Sequence, residues 1–364
     1  MHMPNPISGS SGSSVSAKRS NDEDFVADIK QEAVVEPGNQ SPRPRGLEGL
    51  APRSKTARDL SLIKKFSNPL PLPQRPTEIP VLQYDRSPRS SSDNFRSSDD
   101  FDLPESCNPT GWKDLHISGS GSIASISQIT RLNPSRDSPV IVLDVREESH
   151  AIVGGYPATW RAPNNWANVG KLREEVLADE QERIRAIKSQ ETVQILHRKD
   201  VKNGIPNPRS VKLNKPSIFS EEELVKSAGA EYLRLTVTDH LGPRAEDIDT
   251  FVKMERNMAP NERLHVHCGV GQGRTGIFIA MHDILRNAHL ISFEDIIKRQ
   301  LAFNPGRALD FNKDVSHEGR SDFRNDRLEL ITLFYQYAKS NPNGQPALWS
   351  EWLRENLNNN PDLL

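Results

Sequence analysis

One ten-residue stretch of this sequence combines a cysteine, three glycines and an arginine in an order that suits phosphate chemistry. The stretch is HCGVGQGRTG, residues 267–276. The three glycines between the cysteine and the arginine let the backbone curl until successive N–H groups face a tetrahedral anion. Those N–H groups, and the N-terminus of a helix that follows, should favour the ionised thiolate of Cys268. The pattern therefore predicts a nucleophile at the floor of an anion-binding loop.

Arg274 and Thr275 are expected to act beside this nucleophile. A planar guanidinium can hold two phosphate oxygens at once, which a lysine could not do in the same geometry. Thr275 is expected to donate a hydroxyl hydrogen bond to the sulfur and so help the thiolate leave a phosphocysteine. The reaction predicted is hydrolysis of a phosphate monoester through that covalent intermediate. Substrate phosphate would be bound by the backbone of Gly269, Val270, Gly271, Gln272 and Gly273.

A buried structural thiol is the alternative interpretation of Cys268, and we set it aside because of the surrounding pattern. His, Cys, five residues, Arg and Thr follow one another between a predicted strand and a predicted helix, where open α/β sheets bind ligands. Cys107, the other cysteine of the chain, has no such surroundings and is predicted to be structural.

Asp239 is the candidate general acid. An alkoxide leaving group needs a proton, and a carboxylic acid held nearby on a loop is the usual donor. Asp239 comes at the end of a predicted strand and ahead of a Gly242-Pro243 turn. An aspartate in such a place is otherwise a cap or turn residue.

Strands alternate with helices in the part of the chain that must position these residues. Residues 140–145 form a β-branched run typical of a buried strand, and residues 264–267 form a strand that enters the glycine-rich turn. Further strands are predicted at 192–196 and 232–237, and helices at 166–187, 220–228, from 243, 274–287, from 292 and 322–340. This alternation predicts an α/β protein with a mainly parallel sheet.

Residues 1–89 differ in composition from the rest of the chain. They are rich in Ser, Pro, Gly and charge, without a sustained apolar period, so burial cannot offset their ordering entropy. We therefore predict a disordered region at 1–89 and a phosphatase domain at 90–364, with order beginning near Phe95. The Ser/Gly tract at 8–16 is a linker or tail, or else an export signal like those of bacterial proteins injected into host cells.

The overall composition excludes several classes of protein. A net charge of −2 and a pI near 6.6 give no general basic field, so no nucleic-acid partner is expected. Two cysteines cannot form a disulfide framework or a metal cluster, and they favour a reducing compartment. No run approaches the roughly 18 apolar residues of a membrane span, and no cleavable signal peptide is evident. Secretion would need a route independent of a signal peptide; otherwise the protein is cytoplasmic.

The loop resembles the signature of the protein tyrosine phosphatase superfamily, H-C-x5-R-S/T. This resemblance implies a protein tyrosine phosphatase-like α/β fold, with a mainly parallel central sheet flanked by helices. More narrowly, the chain resembles the protein-tyrosine-phosphatase-like phytases, including those found among injected bacterial effectors. The segments that carry the resemblance are Asn94-Phe95-Arg96, 115–120, 144–150, Trp166-Ala167-Asn168, Thr238-Asp239-His240, 247–251 and 349–353.

The resemblance also implies roles for residues outside the loop. Asp239 would be the acid, His240 would contact substrate phosphate, and Arg96 would touch a second phosphate. Basic residues of the substrate pocket would be Arg320, Arg327 and, in a region that matches less securely, His197 and Lys199. A solvated helix face is the alternative interpretation of Arg320, Arg324 and Arg327. Gly269 stands where the family commonly has Glu, and Asn165 where it often has Asp, which leaves regiospecificity open.

Three functions are consistent with these residues. The first is an inositol polyphosphate phosphatase acting on phytate, inositol hexakisphosphate, without metal or cofactor. The second is a protein tyrosine phosphatase acting on a host signalling protein, whose pocket would need an apolar wall rather than converging cations. The third is a catalytically inactive phosphate-binding module, which would normally lack the thiolate, the arginine or the acid. Since all three groups are present, the first function is preferred.

Overall fold

The structure is a computed structural model that describes residues 57–68, 70–88, 94–132, 138–304 and 320–360, the side chains of 320–324 excepted. The strands are β1 (Val81–Tyr84), β2 (Arg96–Ser97), β3 (Ile117–Ser120), β4 (Val140–Asp144), β5 (His150–Val153), β6 (Tyr156–Arg161), β7 (Thr192–His197), β8 (Ser210–Asn214), β9 (Ile218–Phe219), β10 (Glu231–Arg234) and β11 (Arg263–His267). The helices are α1 (Ala57–Ser67), α2 (Ile126–Thr130), α3 (Arg173–Lys188), α4 (Arg198–Lys202), α5 (Glu221–Ser227), α6 (Ala245–Asn257), α7 (Gly273–Asn287), α8 (Phe293–Phe303), α9 (Arg320–Ser340) and α10 (Trp349–Asn358).

One sheet carries the glycine-rich loop. Its described strands lie in the order β10-β4-β11-β3-β2, and all neighbours are parallel except β2 and β3. All five residues of β4 are buried, as expected for a central strand covered on both faces. The prediction of an α/β fold with a mainly parallel central sheet is confirmed for this sheet. Strands β10, β4 and β11 direct their carboxyl ends to one edge, where the candidate site lies.

A second, mainly antiparallel sheet was not predicted. Its described strands lie in the order β8-β7-β1-β6-β5-β9, and only the β1–β7 pairing is parallel. Several of these strands have alternating or short apolar patterns, and β1 pairs with β6 across more than 70 residues of chain. Such pairings depend on tertiary contacts and leave little local signal.

Helix α7 links the loop to the core. It begins at Gly273 and ends at Asn287, and its central residues 277–281 are fully buried. The predicted strand, glycine-rich turn and buried helix are confirmed in this order. Helix α3 is shorter than predicted, because the chain before Arg173 forms turns in which Asn165 has a positive φ of 64°.

The expectation of disorder at 1–89 is wrong for part of that region. Helix α1 places Leu62, Ile63 and Phe66 on one face and buries them in the main core, while β1 joins the second sheet. Three apolar side chains at helical spacing are enough to stabilise helix α1, because α9 and α10 provide a surface on which they pack. The Ser/Gly tract at 8–16 lies outside the described residues, and the 89/90 boundary stays a prediction. Among the described helices, none has the length and apolar character of a membrane span.

Candidate active site

Cys268 lies at the floor of the loop formed by residues 268–274, called here the phosphate loop. Its side chain is 4% exposed, and the backbone N–H of Gly271 donates a hydrogen bond to its sulfur at 3.3 Å. Gly271 has a φ of +78°, and a Cβ at this position would lie 2.3 Å from the carbonyl carbon of Ser120. Both the conformation and the close approach therefore require glycine.

Three successive carbonyl groups of the phosphate loop are held on its outer side. The donors are Ser122 Oγ to Gly269 O at 3.1 Å, Asn94 Nδ2 to Val270 O at 2.8 Å and Arg96 Nη1 to Gly271 O at 2.8 Å. In a peptide unit the carbonyl and the following N–H point in opposite directions. Holding the carbonyls outward therefore turns the N–H groups toward the inside of the loop, as an anion site requires.

Arg274 is buried beside the cysteine and is oriented by a carboxylate. Its Nη1 and Nη2 atoms donate to the two oxygens of Glu148 at 2.7 and 2.8 Å, and Nη1 also donates to Val237 O at 2.9 Å. Nε is buried and has no hydrogen-bond partner in the part of the chain that the structure describes. The guanidinium edge formed by Nε and Nη2 is thus the one available to a phosphate.

Charge stabilises this arrangement. Burial by itself would lower the pKa of Arg274, but the carboxylates of Asp239 and Glu148 raise it well above its ordinary value. Burial likewise opposes ionisation of Glu148, yet Arg274 and then Arg146 hold the pKa of that carboxyl well below its usual range. Both groups are therefore charged at neutral pH.

Asp239 lies at the rim of the site, next to Arg274. Its Oδ1 is 3.3 Å from Arg274 Nη2, and its Oδ2 accepts a hydrogen bond from Asn165 Nδ2 at 2.8 Å. Trp166 Nε1 donates to the carbonyl of Asp239 at 3.0 Å, which fixes the backbone of this loop. The side chain is 23% exposed, so solvent reaches it. The structure thus brings the predicted acid to the predicted clamp.

His240 follows in the strained left-handed region with φ of 73°, and its backbone N–H donates to Asp239 Oδ1 at 3.1 Å. Its side chain is 33% exposed and lies at the rim. Thr275 differs from the expectation. Its hydroxyl is fully buried and makes no hydrogen bond within the described residues, so the expected donation to sulfur is not formed here.

Arg96 also occupies a different place from the one implied by the resemblance. It is 8% exposed, and its guanidinium donates to Asn304 Oδ1, to Asn94 O and to Gly271 O. Burial lowers its pKa to about 10, an effect that the nearby Cys268 opposes. Its donors support the loop instead of projecting into the pocket, because the asparagines and the loop carbonyl already occupy them.

The other predicted basic residues are dispersed. The Nη1 atom of Arg327 lies 3.2 Å from the position that a Cβ on Gly273 would take, so this arginine borders the phosphate loop. His197 ends β7, where its Nδ1 lies 3.1 Å from both Asp200 and Arg209, and Lys199 follows in α4. The side chains of Arg320 and Arg324 lie outside the described residues.

Two arginines that the sequence did not suggest lie near the acid. Arg161 Nη1 donates to Asn165 Oδ1 at 3.3 Å, and Arg198 reaches Asp85 O at 3.5 Å. Burial, and then Arg198, lower the pKa of Arg161, while Asp239 opposes the change. Glu148 was likewise missed as a functional residue. The signal available in the sequence was the position of Glu148 in the polar segment that follows the buried strand β4.

Comparisons with known proteins agree with this geometry. The model of the PTP-like phytase family, whose description names inositol hexakisphosphate, matches residues 143–286. A PTP-like phytase from Bdellovibrio bacteriovorus is 29% identical, covers 78% of this chain and 98% of its own, and has a TM-score of 0.63. A PTP-like myo-inositol phosphatase from Mitsuokella multacida, solved with myo-inositol-(1,3,4,5)-tetrakisphosphate, is 30% identical over 78% of this chain and 49% of its own, with a TM-score of 0.70.

Two relatives come from plant-associated bacteria. The uncharacterized protein AvrBs1.1 of Xanthomonas euvesicatoria is 71% identical over 103 residues, which are 28% of this chain and 99% of that protein. Effector protein hopD2 of Pseudomonas syringae pv. tomato is 34% identical over 288 residues, 77% of this chain and 61% of that protein.

Fold, phosphate loop and relatives together define a phosphatase. More particularly, residues 143–286 match the model of the protein-tyrosine-phosphatase-like phytase family, and the chain is similar in fold to two solved PTP-like enzymes, a phytase and a myo-inositol phosphatase.

Proposed function

We propose that this protein hydrolyses inositol polyphosphates, with phytate as a substrate, through a phosphocysteine on Cys268. The observation that carries the proposal is the juxtaposition of three groups at one edge of the parallel sheet. The sulfur of Cys268 accepts the Gly271 N–H, Arg274 Nε has no hydrogen-bond partner among the described residues, and Asp239 lies 3.3 Å from Arg274 Nη2.

The first step forms an S–P bond and breaks the P–O bond of the ester. The Cys268 thiolate attacks phosphorus, while Nε and Nη2 of Arg274 and the inward N–H groups hold the non-bridging oxygens. Asp239 gives its proton to the leaving inositol oxygen. In the second step Asp239, now a carboxylate, takes a proton from water as that water attacks phosphorus. Inorganic phosphate then leaves and the thiolate is restored.

The surroundings of the phosphate loop favour a substrate with several phosphates. Arg161 donates to Asn165, the residue that donates to the acid, Arg327 borders the loop, and His240 lies at the rim. Converging cations suit a polyanion, whereas a phosphotyrosine ring would pack on an apolar wall. The Mitsuokella multacida phosphatase solved with an inositol tetrakisphosphate adds support, because it shares the fold at 30% identity.

The test compares two substrates on one purified protein. We expect phosphate release from phytate in the presence of a chelator, at a kcat/KM at least about tenfold above that for phosphotyrosine peptides. Chromatography of the inositol products identifies the phosphate removed first. Cys268→Ser should be inactive on both substrates, and Cys107→Ser, which changes the other buried cysteine, should retain activity. Activity of the Cys268→Ser protein would disprove the mechanism, and preference for the peptide would favour the protein tyrosine phosphatase alternative.

We further propose that the protein acts in the cytoplasm of a host cell, delivered by a route independent of a signal peptide. The relationship to effector protein hopD2 of Pseudomonas syringae supports this localisation. Fusing the chain to a reporter that is active only inside host cells tests it. Retention of the reporter in the bacterium during infection would contradict the proposal.

A further inference from the structure

A buried cluster of ionisable side chains lies beneath the strand that carries the nucleophile. Asp144 ends β4, His150 begins β5 and Glu221 begins α5, so the cluster joins both sheets and a helix. All three side chains are at most 2% exposed. One potential ligand atom from each lies within 4.8 Å of the others.

The imidazole of His150 is oriented as in many metal-binding histidines. Its Nδ1 lies 2.9 Å from the carbonyl oxygen of Glu148, and because a carbonyl can only accept, Nδ1 is the donor. This second contact fixes the tautomer and leaves Nε2 as the atom facing the cluster. Nε2 is buried and makes no directed hydrogen bond within the described residues.

The neighbours of Nε2 are two carboxylate oxygens. Asp144 Oδ2 lies at 3.2 Å and Glu221 Oε2 at 3.4 Å. An unprotonated nitrogen would present its lone pair to two anions, which is unfavourable in a dry interior. Both oxygens of Glu221 also lack a directed hydrogen bond among the described residues. A cation between these three atoms would satisfy all of them.

Two of the three spacings between these atoms suit a small tetrahedral ion, and the third is within 4.8 Å. Zinc bonds to nitrogen and oxygen are about 2.0–2.1 Å long, which puts neighbouring ligand atoms about 3.3–3.4 Å apart. His150 Nε2 lies 3.2 Å from Asp144 Oδ2 and 3.4 Å from Glu221 Oε2, and both distances are close to that ligand–ligand separation. Tyr232 donates its hydroxyl to Asp144 Oδ2 at 2.9 Å, which would orient this ligand from the outer shell.

The local charge balance also favours a divalent cation. Three carboxylates surround His150, those of Asp144, Glu180 and Glu221, at 3.2–3.4 Å. Two guanidinium groups act on these carboxylates. Arg234 donates to Glu180 Oε2 at 2.7 Å and lies 3.4 Å from Asp144 Oδ2, while Arg146 pairs directly with Asp85 and Glu148 at 3.2 Å. Because Arg146 is shared with these two further carboxylates, the cluster keeps an excess of negative charge that a metal ion, or protonated histidines, would neutralise.

We propose that the chain binds one zinc ion through Asp144 Oδ2, His150 Nε2 and Glu221 Oε2. The ion would join the two sheets below the phosphate loop. It would also act on the nucleophile strand through His267, whose Nε2 lies 2.5 Å from Glu221 Oε1. Three protein ligands leave the fourth position of a tetrahedral ion to a water molecule. The site is structural, since Cys268 and Arg274 perform the chemistry.

The test uses an inactive full-length chain, Cys268→Ser, without an affinity tag, so that neither the thiolate nor a tag binds metal. Because the site is buried, the protein is unfolded with a chelator, refolded with zinc chloride, passed through gel filtration and analysed by mass spectrometry of the metal. About one zinc per chain is expected, with a roughly tenfold loss in Asp144→Asn and Glu221→Gln. Glu222→Gln, the exposed neighbour of Glu221 on α5, is the matched control and should keep its zinc.

Cobalt provides a second measurement that does not depend on the variants folding. Refolding Cys268→Ser with cobalt chloride should give the visible absorption of a four-coordinate ion with nitrogen and oxygen ligands. Absence of that band, zinc below about 0.1 per chain, or equal zinc in Glu221→Gln would overturn the proposal. Since the phosphatase reaction is not measured, these outcomes are independent of the proposed function.

Discussion

Two carboxylates contact the Arg274 guanidinium. They differ in solvent exposure, and this difference indicates different roles. Glu148 is 1% exposed and pairs with both Nη atoms, so it remains ionised and fixes the arginine. Asp239 is 23% exposed and contacts only Nη2. The buried carboxylate therefore orients the clamp, while the one at the rim is accessible to solvent, as the proposed acid must be.

Replacing Asp239 with Asn should remove the proton donor while keeping the shape of the side chain. We expect kcat for phytate to fall by about 10² to 10⁴-fold, the usual contribution of a positioned acid. The variant should lose much less on a substrate whose leaving group needs no proton, such as an aryl phosphate with a strongly acidic phenol. Rates of both substrates across the pH range provide the measurement, and equal losses on both would argue against the acid role.

Glu147 should make the folded protein less stable as the pH rises. Burial raises its pKa to about 7, with Glu148 adding to the increase and Thr238 opposing it. The folded chain therefore binds this proton more tightly than the unfolded chain, whose carboxyl ionises near pH 4.5. Stability that is present below about pH 4.5 is lost progressively up to pH 7, and the loss amounts to about 3 kcal/mol.

Glu147→Gln should remove this pH dependence. Urea unfolding at pH 5 and pH 7.5 gives the free energies of unfolding, and their difference should be smaller by about 2 kcal/mol in the variant, because part of the loss already occurs below pH 5. Glu182→Gln, which changes an exposed carboxyl on α3, should behave like the parent. An unchanged difference in Glu147→Gln would show that Glu147 is ionised at pH 5 in the folded protein.

At the scale of elements, the phosphate loop derives its shape from segments far away in sequence. Arg96 belongs to β2, Asn94 precedes it, and Ser122 follows β3. These residues hold three successive carbonyls outward, and their sequence separations from the loop are 147 to 176 residues. The anion site is therefore a property of the sheet edge as well as of the loop.

Arg96→Ala should distinguish support of the loop from contact with a second phosphate. If Arg96 supports the loop, kcat/KM should fall by a similar factor, about 10 to 100-fold, for phytate and for p-nitrophenyl phosphate. Arg327→Ala, at the mouth of the loop, should lower kcat/KM for phytate more than for the small substrate. A loss confined to phytate in Arg96→Ala would restore the role that the family resemblance implies.

For the whole molecule, the two sheets meet near the site through buried ion pairs. Arg146 lies 3.2 Å from Asp85 Oδ2, just beyond β1, and 3.2 Å from Glu148 Oε1, which orients Arg274. Arg86 donates to Ser122 O at 3.0 Å and so connects the same segment to the phosphate loop. The N-terminal strand therefore belongs to the catalytic unit.

Helix α1 should contribute to global stability although it lies within residues 1–89, which lack a sustained apolar period. Ile63 is 1% exposed and packs in the main core, whereas Ile79, in the same region, is 87% exposed. We expect Ile63→Ala to lower the free energy of unfolding by about 2–5 kcal/mol and Ile79→Ala by less than about 0.5 kcal/mol. Urea titrations of both variants make the comparison. Equal, small effects would mean that α1 is not part of the stable core.

The prediction of disorder at 57–88 failed because it used average composition. Leu62, Ile63 and Phe66 are few, but they share a face and meet a surface supplied by α9 and α10. The second sheet escaped prediction for a related reason, since its pairing of β1 with β6 and β7 joins distant segments. Composition and periodicity report local structural preference. Helix α1 and the second sheet instead depend on the distant segments of the chain that pack or pair with them.

Sequence alone determined the loop between strand and helix and the parallel sheet behind it, and it sufficed to propose the nucleophile and the clamp. These features depend on residues within about ten positions of one another or on one buried strand, so spacing and backbone preference suffice. Only the tertiary structure decided that Glu148, 126 positions away, orients Arg274, and that Arg96, 175 positions from Gly271, supports the loop. It also brought Arg161 to Asn165, the residue that donates to Asp239. Contacts between side chains so far apart in sequence form only when the chain folds, and no local sequence pattern specifies them.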